Sequence, residues 1–192
     1  SSGKLPISIP RDEGQIPVYY NHRPTGRAIG SLRDPKDPYV SRYVDQSNSP
    51  EFPFGFGLSY SKFKISNIKL SSAQIKKGES ILVQAELTNT GEYDGSEVVQ
   101  LYIRQIPTSV ARAVLQLRGF QKVFLKKGQA EKIEFKLTAE DFKFWNSDLK
   151  WVQEPGNVQV HIGASSADTQ KGECEVLGWR ICRNVYSFWP IN

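Results

Sequence analysis

A chain of 192 residues, 39% hydrophobic and 23% charged, is long enough for one sizeable core, or for one core and an appendage. Its net charge of +5 comes from 25 basic and 20 acidic side chains. The lysines are scattered through alternating stretches and turns instead of gathering on one face, which argues against a nucleic-acid partner, and no apolar run is long enough to cross a membrane.

The first residues, Ser1-Ser2-Gly3-Lys4-Leu5-Pro6, lack the apolar core of a signal peptide, and the chain has no methionine. Any export signal is therefore expected upstream of Ser1, or lost, and Ser1 is not expected to be a natural start. Residues 5–10 and 16–20 read as short extended pieces interrupted by prolines. Proline lacks the donor that a central strand requires, so these are edge strands or wrapped loops. From Asn21 to Pro53 the chain is rich in Pro, Asp, Arg and Ser. Such a segment cannot bury a core of its own and must pack on something outside this sequence. The run Phe54-Gly55-Phe56-Gly57-Leu58-Ser59-Tyr60 then reads as a join between two parts. Phe52, Phe54, Phe56, Leu58 and Tyr60 are expected to form an apolar seam there, with the glycines permitting a tight reversal against an aromatic surface.

From Lys62 onward one theme repeats, a short alternating stretch followed by a turn. Residues 63–70 predict a first strand, and Lys77-Gly78-Glu79-Ser80 a turn. Ile81, Val83, Ala85 and Leu87 then face one side of a second strand, with Gln84, Glu86 and Thr88 on the other. Asn89-Thr90-Gly91 closes it and Asp94-Gly95 opens the next, whose inward face is Val99, Leu101 and Ile103. Residues 115–125 form an apolar stretch in which Gly119 marks a bend or bulge. After the turn at Lys127-Gly128 come Ile133, Phe135 and Leu137. Thr138-Ala139-Glu140-Asp141-Phe142 has the start of one helical turn. Trp151-Val152 makes a short strand, and Val158, Val160 and Ile162 another after Glu154-Pro155-Gly156. His161, between the last two, is expected at the surface. Residues 172–177 serve as a final edge strand. Seven or so short strands with turns between them describe an all-β chain, an antiparallel β-sandwich.

Cys174 and Cys182 exclude a disulfide framework as the main source of stability, and their separation does not suit a zinc site. The chain thus divides into residues 1–60, a leftover piece plus linker; 61–177, the sandwich; and 178–192, an aromatic, unpatterned tail of unknown origin.

Residues 3–11, 14–22 (Gly-Gln-Ile-Pro-Val-Tyr-Tyr-Asn-His) and 25–27 (Thr-Gly-Arg) closely resemble the C-terminal region of bacterial family 3 glycoside hydrolases of the β-glucosidase and β-xylosidase type. Residues 52–60 resemble the linker that follows in that family. Residues 87–91, 95–102, 117–120 and 151–156 resemble its fibronectin type III-like, or immunoglobulin-like, domain. The motifs agree in order and spacing over residues 3 to about 167. The resemblance implies a fibronectin type III-like sandwich preceded by a mostly irregular remnant of an α/β sandwich domain. It implies a periplasmic or secreted parent that hydrolyses β-linked glycosides with retention, using two carboxyl groups. Those groups belong to an N-terminal barrel and to the α/β sandwich domain, both missing here as partners of this segment. No residue of this chain matches either catalytic motif, so the resemblance assigns no catalytic residue, no metal ligand and no cofactor.

Retaining hydrolysis needs two carboxyls held about 5 Å apart in a cleft. The adjacent or near-adjacent pairs Asp12 with Glu13, Asp34 with Asp37, and Glu92 with Asp94 all lie in polar turns, where carboxylates are solvated and cap backbone donors. Ser59 lacks the closing glycine of a nucleophile elbow, and Gly55-Phe56-Gly57 lacks the strand and helix of a dinucleotide fingerprint. Asn21, His22 and Arg27 place three hydrogen-bonding side chains in one loop. They suit either a loop near the sugar site of the intact enzyme or a structural loop, and the structural reading is preferred. The function expected is a non-catalytic, stabilising accessory region of a glycosidase. The alternative is an autonomous carbohydrate- or protein-binding sandwich, which would display exposed aromatic residues. Trp145 and Trp151 are spaced to fit packing around a short strand instead. Exposure of Trp145, Trp151 and Tyr102 separates the two readings.

Overall fold

The computed structural model describes residues 2–24, 43, 45–106 and 108–178. Ten strands follow in chain order: β1 (Phe63–Leu70), β2 (Gln74–Ile75), β3 (Ile81–Asn89), β4 (Gly95–Ile106), β5 (Gln116–Leu125), β6 (Ala130–Leu137), β7 (Phe144–Trp145), β8 (Trp151–Val152), β9 (Gly156–Gly163) and β10 (Thr169–Val176). The helical elements among the described residues are two short 3-10 turns, Glu13–Gln15 and Ala139–Phe142. The described residues thus form an all-β sandwich, as the alternating pattern predicts.

One sheet has the order β1-β3-β6, the other β2-β10-β9-β4-β5, and β7 pairs with β8 as a separate hairpin. Every pairing is antiparallel except β10 with β2. The core lies between the two larger sheets. Ile81, Val83, Ala85 and Leu87 of β3 and Ile133, Phe135 and Leu137 of β6 enter it from one side. Val99, Leu101 and Ile103 of β4 and Val158, Val160 and Ile162 of β9 enter from the other. Period-two alternation puts these residues on one face of each strand, and their removal from water is the main stabilising term. The second faces of β3 and β6 carry Gln84, Glu86, Lys132 and Glu134, as a sheet with one solvated face requires.

Two irregularities set the local shape. In β1 the register shifts between Ser66 and Lys69, and Asn67 has a φ of 57°. This bulge lets Phe63 and Ile65, then Ile68 and Leu70, all pack against the core despite a break in the alternation. A second shift lies between Leu101 and Tyr102, opposite Gly119, where the sequence predicts a bend or bulge.

The structure differs from expectation in several places. Strands β2 and β7 have two residues each, too short to carry a periodic signal. The last strand begins at Thr169 and ends at Val176, earlier than the expected 172–177. His161 is half-buried, with its Nε2 wholly enclosed, because the N-terminal segment covers the sheet face on which it stands.

Candidate functional site: a clasp on the outer face of the larger sheet

The N-terminal segment holds itself together first. Backbone bonds from Leu5 N–H to Phe56 O (2.8 Å), Gly55 N–H to Leu5 O (2.8 Å) and Ile9 N–H to Phe52 O (2.8 Å) zip residues 5–9 to residues 52–56. Gln15 is buried, and its amide donates to the carbonyls of Ser47 and Ser49 at 3.1 and 3.0 Å. The Arg11 guanidinium pairs with Glu51 at 2.6 Å.

This doubled segment then lies on β4 and β9. Tyr20 stacks on Phe54 with centroids 4.2 Å apart and planes 23° from parallel. Both rings meet Tyr102 edge-on, at 5.8 and 6.4 Å. Tyr102 is 0% exposed, although alternation places it on the face of β4 opposite the core. Its hydroxyl donates to Gln100 Oε1 at 2.5 Å. The Gln100 amide donates in turn to Gly55 O (3.1 Å) and Ala164 O (2.8 Å), and Ser166 N–H donates to Phe54 O (2.9 Å). Burial holds the Tyr102 phenol well above the ordinary tyrosine range, with Tyr20 adding to the effect, so it remains a neutral donor. Gly55 has a φ of 79°, and a Cβ there would stand 2.0 Å from Gln100 Oε1; the contact is possible only for glycine. At the far end, Lys4 Nζ meets Glu97 at 2.6 Å, both side chains largely buried. Asn89, fully buried, donates to Tyr93 O and Leu125 O and accepts from Ser61, which fixes the point where the linker enters β1.

The residues expected to form a seam divide into three groups. Phe54 packs on the sandwich. Phe52 and Phe56 pack on one another, centroids 5.0 Å apart. Leu58 and Tyr60 are 74% and 82% exposed and meet solvent in this chain. Asn21 and His22 are exposed and line an open groove with Gln15, Tyr19, Arg23 and Tyr43. His22 Nδ1 lies 2.9 Å from the carbonyl of Arg23, and the His22 carbonyl accepts from Val114 N–H. Arg27 lies outside the described residues, as do Asp34 and Asp37. The paired carboxylates that are described stand in turns. Asp12 takes the N-cap position of the first 3-10 turn and Glu13 opens it, Glu92 pairs with Lys127, and Asp94 accepts from Lys127 N–H. Among the described residues no three His, Cys, Asp or Glu side chains gather in a metal-binding arrangement.

Sequence reasoning missed Gln100 and Glu97, read Asn89 only as a turn residue, and left open the exposure of Tyr102, which is buried. The signal for β4 was present: Val99 to Ile103 is almost wholly apolar, the mark of a strand covered on both faces. The two tryptophans also depart from expectation. Trp145 and Trp151 face each other across the β7–β8 hairpin with centroids 5.4 Å apart, yet remain 61% and 46% exposed.

A cavity of about 340 Å³ lies between the clasp and the sheet, lined by Tyr20, His22, Val114, Leu115, His161 and Thr169 among others. His161 Nδ1 lies 3.2 Å from Thr169 Oγ1, and its enclosed Nε2 has no partner. Burial, with Lys171 and Arg104 nearby, lowers the His161 pKa below the ordinary histidine value.

With this geometry defined, comparison with known proteins places the chain. A family model of the fibronectin type III-like domain matches residues 97–166. The periplasmic β-glucosidase of Salmonella typhimurium is 44% identical over 92% of this chain and 23% of its own length. The β-xylosidase of Formosa agariphila is 43% identical over 85% of this chain and 21% of its own length. A solved β-glucosidase from Listeria innocua in complex with glucose superposes with a TM-score of 0.83 at 43% identity, covering 92% of this chain and 24% of that one. The fold is that of a fibronectin type III-like domain. The chain belongs to the C-terminal region of the family 3 glycoside hydrolases, and it spans under a quarter of the length of the relatives it matches.

Proposed function

We propose that this chain is the bracing, non-catalytic region of a retaining β-glycosidase whose carboxyl pair lies in an N-terminal barrel and an α/β sandwich domain outside this sequence. Residues 1–60 are read as the end of that sandwich domain plus a linker, and 61–177 as the domain that supports it. The observation that carries this reading is the clasp itself. A segment whose described residues add nothing to the core cluster is joined to the sandwich by Phe54, Tyr20 and the Gln100 amide. Exposed Leu58, Tyr60, Phe120 and Phe124 are the kind of apolar surface that a preceding domain would cover. Asn21, His22 and Arg27 are proposed to lie toward the sugar site of the whole enzyme. The names of the relatives support β-linked glucosides or xylosides as its substrates and an extracytoplasmic location.

The test is an assay of the purified chain with chromogenic aryl β-glucosides and β-xylosides between about pH 5 and 7, where carboxyl chemistry operates. No turnover above a heat-treated control is expected. Turnover abolished by replacing a single carboxylate of this chain would overturn the reading.

A further inference from the structure

The β7–β8 hairpin carries more than its own folding requires. Phe142 and Phe144 are buried and root it in the sandwich, with the Arg112 guanidinium 4.6 Å above the Phe144 ring. Alternation then turns Trp145 outward, opposite Trp151 of the paired strand. The Asn146 side chain accepts from the N–H groups of Asp148 and Lys150 at 3.0 and 2.9 Å, which fixes the turn. The Trp151 indole N–H donates to Glu140 at 3.1 Å, and Glu140 is held from its other oxygen by Lys143. Both hydrogen bonds, from Lys143 first and Trp151 second, keep the Glu140 carboxyl below its ordinary range, so it stays an ionised acceptor.

The outcome is two exposed indoles in contact, tilted 52° to each other, one of them held by Glu140 and both bordered by charged and amide side chains. A cross-strand aromatic pair stabilises a hairpin, but that role is served by one buried face of each ring. The outer faces remain free. A β-linked glucose unit complements such a surface. Its equatorial hydroxyls leave an apolar face of C–H groups to lie on an indole, while the hydroxyls on its rim meet acceptors and donors such as Glu140 and Lys143. The two tilted planes and mixed-sign border suit ring-by-ring stacking of a sugar chain better than a flat protein interface, whose centre is depleted of charge.

We propose that Trp145 and Trp151 form a second, non-catalytic carbohydrate-binding surface for β-linked gluco-oligosaccharides. This goes beyond the bracing role and rests on reading the parent as a glycosidase, whose polymeric substrate the hairpin would hold.

The experiment uses the full chain with laminaritetraose and cellotetraose as probes and α-linked maltotetraose as control. Binding is read by saturation-transfer NMR on the sugar and by retardation in gels containing soluble β-glucan. The β-linked probes are expected to bind and the control is not. Trp145→Ala should weaken binding about tenfold with little change in melting temperature. Trp151→Phe, which preserves the cross-strand pair, should weaken it by a smaller factor. Three results would each overturn the proposal: no transfer to either β-linked probe, undiminished binding by Trp145→Ala, or self-association that Trp145→Ala abolishes, which would assign the indoles to a second copy of the chain. Release of glucose from a probe would count against the non-catalytic reading and leave the binding surface intact, so the two ideas fail separately.

Discussion

Tyr102 and Gln100 link the two parts of the molecule through a hydrogen-bond chain closed to water. The Tyr102 hydroxyl donates to Gln100 Oε1, and the Gln100 amide donates to two carbonyls, one from the linker and one from the β9–β10 turn. Tyr102→Phe removes one donor and leaves Gln100 Oε1 buried without a partner. That change should cost about 1–3 kcal/mol. A stability shift below the error of denaturant titration would mean that the chain is not closed. His161 gives a pH-dependent counterpart. Its folded pKa lies below its unfolded one, so the unfolded state binds more protons once the pH falls below about 6.5. Stability is full above that value and declines as the pH drops from there toward the folded-state pKa. His161→Gln should remove this part of the decline in melting temperature between about pH 7 and 5. An identical decline in the variant would show that the carboxylates alone cause it. The inward residues of β3, β4, β6 and β9 were legible from alternation alone. Gln100 and His161 were not, because the chain that covers them comes from residues 1–56, distant in sequence and without a pattern of its own.

At the scale of elements, the linker is a set of unequal contacts. Phe54 lies between Tyr20 and Tyr102, whereas Tyr60 is almost wholly exposed. Phe54→Ala should therefore cost about 2–4 kcal/mol and lower the melting temperature by roughly 5–15 °C. Tyr60→Ala should leave it within about 2 °C of the parent chain, since exposed substitutions stay within about 0.5 kcal/mol. Equal shifts from the two, measured by calorimetry, would contradict the packing. The aromatic run announced a join, but all its rings looked alike in sequence. Which ring packs depends on Gly55, whose positive φ turns the chain so that Phe54 faces the sheet and its carbonyl oxygen reaches Ser166. The two-residue strands β2 and β7 were invisible for a different reason, since two residues cannot display a period; β8, equally short, was legible only as an apolar pair ahead of the turn at Glu154-Pro155-Gly156.

For the whole molecule, the question is whether the sandwich depends on the segment that lies on its outer face. The buried core cluster runs from Ile75 to Val176, and no described residue before position 61 belongs to it. The clasp adds Phe54 and Tyr20 on the face of β4 opposite that core, beside Tyr102, and the Lys4–Glu97 pair near the start of β4, on the same side as Val99. A shortened chain starting at Ser61 should therefore fold with one cooperative transition, because the burial that opposes chain entropy is retained. It should melt about 10 °C lower than the full chain, since Tyr102 and Gln100 lose their cover and Glu97 loses its partner. Dye that binds apolar surface should brighten on the shortened chain, and Tyr102→Ser in that background should reverse the effect at little further cost. Loss of the cooperative transition would mean that the clasp is part of the folding unit and that the boundary at residue 61 is misplaced. An unchanged melting temperature would mean that the segment merely rests on the sheet, and bracing would then have to act through Leu58, Tyr60, Phe120 and Phe124.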